Sequence, residues 1–436
     1  MSSRQIAILG AGMAGMAAAN TLQDQDCVIY EARPRSGGHA SSFQVGAYTF
    51  DEGPHLSFTK NERVRQFMAA SADGSFLSHP MHATAVYQGC VLQHPVECNL
   101  HGLPQDLISQ CINSFMETHK TPPIDGANYG EWCNRWLGEV ITDTFTRSYI
   151  RRYYGLELEQ LTTDWVSSRI TAPTIDDLLA GATGNGKVSV SEFRYPRNGG
   201  FQSYTSLLTS RSQIECNRNF AELDPHKKRM VFSDGHVAHY QHLISSLALP
   251  ELISRIPSAP QNVRDAAENL YCTSHLLVSV GVKRPHLSDA YWTYFYDHDI
   301  AFTRAHFPSK YSPNSAPTGC SSVQVELVHF IRKPLPAKES IVELSIDGLL
   351  RCGILKDRTE IDAVDVRNIP YANVVFDFHR EPNLKVVHRY LESIGIDWCG
   401  RYGDWGNHWT DQAMLSGERA ANKVRARMGL PAAEFA

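Results

Sequence analysis

The sequence predicts an α/β fold in which a parallel-sheet domain is laid down in several pieces and interleaved with a second, α+β module. Three observations carry this. A hydrophobic strand, Ile6-Ala7-Ile8-Leu9, runs straight into Gly10-Ala11-Gly12-Met13-Ala14-Gly15 and an alanine-rich helix, Met16 to Leu22. A second short strand, Cys27 to Tyr30, ends on the acid Glu31. Later segments that suit the same sheet are separated by a helical, aromatic stretch and by a run of strands, so the first domain is discontinuous.

Each part of the opening segment has a physical job. Gly10 makes the tight turn, Gly12 lets a pyrophosphate approach the backbone, and Gly15 with the alanines lets helix and strand pack closely. The helix N–H groups and dipole then point at the phosphates. Glu31 stands about 20 residues further on, where a carboxylate accepts hydrogen bonds from a ribose diol. The same carboxylate repels a 2′-phosphate, which disfavours NADP. Strand, glycine triplet, helix, strand and acid in this order predict a Rossmann-like dinucleotide-binding unit.

Phe50-Asp51-Glu52-Gly53-Pro54-His55 closes the first segment, and Val86–Leu92 reads as strand with Gly89 in a turn. From Leu103 to Leu179 the pattern is helical and aromatic, with Trp132, Trp136 and Tyr149, Tyr153 at i, i+4 spacing; such a stripe reads as core packing between helices. Gly184-Asn185-Gly186 marks a flexible turn, and Tyr195 to Phe201 opens a helix over Gln202 to Thr209. A strand near Ile214, a hairpin through Asp234-Gly235, and the strand His242 to Ser246 return to the parallel sheet. Strands are expected at Leu276–Val282, Trp292–Tyr296, Ala301–His306, Val323–Val328 and Ile341–Leu344. Val374-Val375-Phe376 and the last helix then rejoin the first domain.

Composition excludes several classes. The 436 residues are 20% charged and 42% hydrophobic, with net charge −5 and no long Lys/Arg run, so nucleic-acid binding has no electrostatic footprint. No apolar stretch approaches the ~20 residues of a membrane helix. The first strand begins within a few residues of Met1, leaving no room for a cleaved signal peptide, and ten scattered cysteines suit reduced thiols. A cytoplasmic protein is the expectation. His236, His239 and His242 fall on the second hairpin strand and beyond it, and no metal is expected there.

A second signature stands near the C-terminus: Cys399-Gly400-Arg401-Tyr402-Gly403-Asp404-Trp405, then a helix with a small-residue face (Ala413, Gly417, Ala420, Ala421, Val424), capped by Thr410 or Asp411 and ended by Gly429. A helix N-terminus here suits an anion developing on a bound ring. With these residues in view, the chain resembles, over nearly its full length, the FAD-binding amine oxidase and protoporphyrinogen oxidase superfamily, which includes UDP-galactopyranose mutase. Gly10, Gly12 and Gly15 match the first motif, Glu31 the ribose acid, and Arg33, Gly37 and Gly38 an Arg-x-Gly-Gly extension. Pro196 to Phe201 matches a Pro-x-Gly-Gly-aromatic segment with one extra residue. Gly53-Pro54-His55 is similar to the Gly-x-His segment of the sugar mutases. The Cys-linked flavin attachment and the aromatic sandwich of monoamine oxidases are missing.

The resemblance implies FAD as cofactor. The FAD domain is expected at residues 1–85, 196–270 and 366–436, and the substrate domain at 86–195 (mainly helical) and 271–365 (strand-rich). Cofactor contacts are expected from Gly10, Gly12, Ala14, Gly15, Glu31, Ala32, Arg33, Gly37, Gly38 and His39, then Phe220 beside adenine, then Gly400, Arg401, Asp404, Trp405, Asp411, Gln412 and Ala413. Arg401 is expected on the pyrophosphate and Asp404 on a ribityl hydroxyl. His55 and Arg304 are the catalytic candidates, with strand alternation placing Arg304 on one face with Phe302 and His306. The leading expectation is an oxidoreductase moving hydride from a small organic substrate to the flavin. The runner-up is a sugar-nucleotide mutase using Arg194, Arg197, Arg304 and Arg351 with Tyr294 and Tyr296; a non-catalytic FAD-binding scaffold is third. The partner is a small molecule, with a sugar nucleotide as one candidate.

Overall fold

The computed structural model describes residues 3–120, 128–166, 170, 172–187, 191–330 and 333–436. In chain order the strands are β1 (Ser3–Leu9), β2 (Cys27–Tyr30), the hairpin β3 (Ser42–Val45) and β4 (Tyr48–Asp51), β5 (Phe76–Pro80), β6 (Ala83–Tyr87) and β7 (Cys90–Gln93). After the helical stretch come β8 (Glu192–Pro196), β9 (Ile214–Glu215), β10 (Phe220–Asp224), β11 (Arg229–Phe232) and β12 (Val237–Ser245). The rest are β13 (Cys272–Val282), β14 (Trp292–Phe295), β15 (Arg304–His306), β16 (Ser321–Phe330), β17 (Ile361–Val374) and β18 (Ile396–Trp398).

One sheet runs β10-β11-β12-β1-β2-β9, with β18 also pairing β12. Its centre is parallel: Leu9 lies beside Ser245 on one side and Tyr30 on the other. Helix Met13–Thr21 is buried along its whole length, because its alanines and Gly15 leave no bulk between it and its neighbours. The last helix, Thr410–Arg427, packs on it so closely that a Cβ at Gly417 would stand 2.1 Å from the Ala14 carbonyl oxygen.

The second sheet runs β17-β13-β16-β15-β14-β6-β7 and is antiparallel except where β14 meets β6. Alternation divides its faces. Val278, Val280, Val282, Val323, Val325 and Ala305 form an apolar layer under helix Lys338–Arg351. The opposite face carries His275, Ser279, Ser322, Gln324 and Glu326, and Gln324 reaches from it to the Asp51 carbonyl.

Several sequence expectations need correction. Ile341–Leu344 is helical, part of Lys338–Arg351; its buried Ile341, Ser345, Ile346 and Leu349 follow helical spacing, and a short apolar run alone cannot separate helix from strand. Val374 closes the 14-residue edge strand β17 of the second sheet, so the strand that rejoins the first sheet is β18. The strand at Ala301–His306 begins only at Arg304, and Phe302 sits in the apolar layer against Phe295 and Gly348. Phe302 therefore does not share a face with Arg304. Val86–Leu92 is a two-strand hairpin, β6 and β7, turning at Gln88-Gly89. The last helix begins at Thr410 with Trp409 at its cap, so neither Thr410 nor Asp411 caps it; Gln412 Oε1 accepts the Trp409 N–H at 2.9 Å. No helix of the described residues is long and apolar enough to cross a membrane.

Candidate active site

Three glycine turns meet at the start of helix Met13–Thr21 and leave a trough walled by backbone. Gly10 has φ +95°, and a Cβ on Gly15 would stand 2.0 Å from the Gly10 carbonyl oxygen. Gly37 donates to the Ala11 carbonyl at 2.8 Å, and a Cβ on Gly38 would lie 2.9 Å from Gly12 Cα. Gly400, at φ +81°, would meet Ala14 Cβ at 2.8 Å. The first and last motifs of the chain are thus adjacent in space, and side chains are excluded where they touch.

Glu31 is held by two backbone donors: Ala11 N–H to Oε2 at 2.7 Å and Arg33 N–H to Oε1 at 2.9 Å. Arg33 uses one nitrogen on both oxygens of Glu52, at 2.9 Å each, and His39 Nδ1 stands 3.5 Å from Glu52. Burial works against the Glu52 charge, but the His39 contact and the Arg33 guanidinium outweigh it and hold its carboxyl down to about 2. A cleft of about 680 Å³ opens here, lined by Arg33, Arg35, Phe43, Glu52 and Arg367 among others.

Opposite lies the polar face of the second sheet. Pairing register puts Glu326 beside Arg304, Arg304 beside Tyr294, and His306 beside Gln324. Arg304 binds Glu326 through two nitrogens, Nε to Oε2 at 2.9 Å and Nη2 to Oε1 at 3.0 Å. Burial opposes both charges, but the pairing wins: Arg304 is held well above and Glu326 below its ordinary range. The Arg304 guanidinium lies 5.7 Å over the Tyr294 ring, and His94 stacks on the same ring at 4.2 Å. His306 donates from Nε2 to Gln324 Oε1 at 2.8 Å, and Gln324 in turn donates to the Asp51 carbonyl at 3.1 Å. That last bond ties the Asp51–His55 segment to the sheet. His55 Nδ1 lies 3.1 Å from the Gly53 carbonyl. Burial pushes the imidazoles of His55, His275 and His306 down to about 4, so all three are neutral near pH 7.

The C-terminal motif joins the two walls. Tyr402 donates to the Tyr371 carbonyl at 2.6 Å, and Arg401 donates to the His408 carbonyl at 2.8 Å and to Asn373 Oδ1 at 3.3 Å. Trp405 is fully buried yet held at φ +46°, and Arg380 donates twice to its carbonyl. Its Nε1 and the Arg401 Nε have no hydrogen-bond partner among the described residues. Asp404 accepts from Ser416.

Not every expected residue joins this group. Phe220 is 4% exposed, its ring 6.4 Å from Phe232 and 5.6 Å beneath the Arg255 guanidinium. Arg351 is engaged in an exposed pair with Asp299, and Arg194 donates to the Thr59 carbonyl. The aromatic stripe divides: Trp132 and Trp136 pack among the helices, whereas Tyr149 lies 5.9 Å from Tyr294 and Tyr153 5.9 Å from His275. Glu326, His275 and Asn373 escaped the sequence reading. A lone acid inside the apolar run Val323–Val328 was the available signal for Glu326, since a buried carboxylate demands a partner.

Residues 8–71 match the model of the NAD(P)-binding Rossmann-like domain. No curated protein matches the chain by sequence. Among solved structures, reduced UDP-galactopyranose mutase superposes with TM-score 0.89 at 23% identity, covering 98% of this chain and 96% of that one. A candidate protoporphyrinogen oxidase from Exiguobacterium sp. 255-15 gives 0.75 at 15% identity, covering 98% and 100%. A double mutant of putrescine oxidase gives 0.65 at 13% identity, covering 98% and 99%. The chain thus carries a NAD(P)-binding Rossmann-like domain at residues 8–71, set within a fold that it shares from end to end with these three structures.

Proposed function

We propose that the chain is a flavoenzyme that holds FAD along the glycine trough and rearranges a sugar nucleotide, in the manner of a UDP-galactopyranose mutase. The observation that carries the reading is the junction of Gly400 with Ala14, which brings the C-terminal motif to the trough. A short NAD site is complete without that motif, whereas a longer cofactor running from Glu31 past Gly12 to Arg401 uses it. The backbone cradle that a Cβ would fill, and the buried Arg401 Nε and Trp405 Nε1 without partners among the described residues, fit such a group. Bound FAD would supply a reducible ring whose reduced form is both an electron source and a nucleophile.

The chain's own residues would do the rest. Glu31 would grip the ribose, and the helix N-terminus would face the pyrophosphate. Arg401 would neutralise anionic charge, and His55, neutral at pH 7, would stand ready to accept a proton. The tyrosine hydroxyls and the Arg304–Glu326 pair make a wall suited to a polyhydroxylated substrate rather than a greasy one. The near-complete likeness to the mutase supports the same reading.

The second reading, an oxidoreductase moving hydride to the flavin, is favoured by one specific observation. Glu326 already balances Arg304, so this guanidinium offers no net charge to a diphosphate. Anaerobic titration with UDP-hexoses, following flavin absorbance and sugar ring form, separates the two. Ring interconversion only with dithionite-reduced enzyme is the expected result. Absence of UDP-hexose binding in either redox state, with flavin bound, overturns the mutase in favour of the oxidoreductase. A protein that takes up no flavin on reconstitution overturns both.

A further inference from the structure

We propose that His275 and Asn373 are positioning residues for Arg401, holding its guanidinium through a directional hydrogen-bond relay that ends beside the Arg304–Glu326 pair. The proposal rests on Arg401 being a cofactor contact. It follows from donor and acceptor chemistry alone. An arginine has no acceptor, so the Asn373 atom 3.3 Å from Arg401 Nη2 is the carbonyl oxygen Oδ1. The other end of the same amide, Nδ2, then donates to His275 Nε2 at 2.8 Å. That nitrogen must be the bare one, and the proton of the neutral ring sits on Nδ1. Nδ1 faces Glu326 Oε2 at 3.8 Å, and Glu326 is locked by Arg304. The imidazole and carboxylate side chains are 8% and 1% exposed.

Local structure explains why the relay exists. Asn373 sits on β17 just beyond an irregularity in its pairing with β13, where register shifts between Thr273 and His275. Asn373 pairs with Thr273, two residues from His275, so alternation sets it on the same face as His275. The irregular stretch before it lies against the Arg401 turn, whose Tyr402 grips the carbonyls of Tyr371 and Ala372.

The groups facing His275 are Glu326 on β16, Arg304 on β15, Arg401 on the C-terminal turn, and the Tyr153 ring 5.9 Å away on helix Ser148–Tyr154. Burial and the two guanidiniums disfavour the imidazolium, and Glu326 favours it. Protonation would place a donor on Nε2 against the Asn373 donor. The amide would have to turn over, presenting its NH2 to Arg401 and releasing it. One protonation event on the substrate wall is thereby felt at the C-terminal turn.

The test uses full-length protein labelled with nitrogen-15 histidine, with His275 assigned by comparison with His275→Gln. Neutral-pH spectra should show His275 protonated on Nδ1 only. Asn373→Leu should abolish that fixed tautomer and weaken FAD binding about tenfold, the loss of one charge-assisted hydrogen bond. Asn373→Asp keeps an acceptor for Arg401 but removes the donor to His275. It should restore FAD binding to within about threefold of wild type, with His275 doubly protonated near pH 7. A wild-type His275 protonated on Nε2 overturns the relay. So does an Asn373→Asp protein whose His275 stays neutral, or an Asn373→Leu protein that binds FAD as wild type does. If wild type itself takes up no FAD, the cofactor reading fails, while the nitrogen spectra still decide the relay.

Discussion

The two walls of the site are built by opposite means. The glycine trough is made of backbone: its shape comes from the side chains that are missing at Gly12, Gly15, Gly38 and Gly400, and at the last three an added Cβ would clash. The wall on the second sheet is made of side chains, Glu326, Arg304, Tyr294, His306 and His275, drawn from four strands and balanced in charge. The first wall is rigid because nothing can move there without a backbone clash. The second is rigid only while every polar group keeps its partner. One should fail by steric intrusion, the other by loss of electrostatic balance.

The largest expected effect breaks the balance. Glu326→Leu leaves Arg304 buried and unpaired and should cost about 3–5 kcal/mol in urea unfolding. The double variant Glu326→Leu, Arg304→Met should recover most of that loss, because an apolar pair of similar volume needs no counter-charge. Equal stability of the single and double variants would show that the pairing, as described, does not govern this wall.

Next comes intrusion into the trough. Gly15→Ala puts a methyl group 2.0 Å from the Gly10 carbonyl oxygen and should destabilise by about 1–3 kcal/mol, at the upper end of overpacking changes because backbone must move. Gly15 is helical and has no positive φ, so without the clash Gly15→Ala would be neutral or stabilising. A Gly15→Ala protein as stable as wild type would contradict the close approach.

The third prediction separates the walls by pH. The neutral imidazoles of His275 and His306 and that of His55 have folded pKa values near 4, below the ordinary 6.5. The unfolded chain therefore takes up their protons first, and stability falls as pH drops from about 6.5 to 4, on the order of a few kcal/mol in total. Glu52, held down to about 2 from 4.5, gives up its contribution only as pH falls from about 4.5 toward 2. His306→Gln should flatten the upper window and leave the lower one unchanged; a slope confined below pH 4 would remove the buried-histidine account.

The smallest effect sharpens the cofactor side. Glu31→Gln keeps the shape but sets an NH2 donor against either the Ala11 or the Arg33 N–H and weakens the acceptor for a ribose diol. FAD affinity should fall about tenfold, near 1.4 kcal/mol, with a stability loss of about 1 kcal/mol. Unchanged affinity would place the ribose elsewhere.

The trough was legible because its causes are contiguous. Gly10, Gly12, Gly15 and Glu31 lie within 22 residues, and each glycine answers to a local turn or close packing visible in the string. Arg304 was found because an arginine within an apolar strand stands out. Its partner Glu326, 22 residues away, was passed over inside Val323–Val328. Phe302 falls on the other face because the strand starts three residues later than the expected Ala301. Asn373 could not be found in the string, since its place beside His275 comes from the pairing of β17 with β13, 100 residues away in the chain.

Taken alone, the amino-acid order determined the α/β class, the dinucleotide-binding opening and the return of the chain to its first sheet, because these depend on spacing over a few residues and on glycines whose conformations are local. Only the tertiary structure decided that Gly400 touches Ala14, that Glu326 neutralises Arg304, and that His275, Asn373 and Arg401 form one chain of bonds. Those contacts join residues up to 386 positions apart. Their geometry is set by strand register and by the requirement that buried polar groups find partners, conditions met only when distant segments pack together.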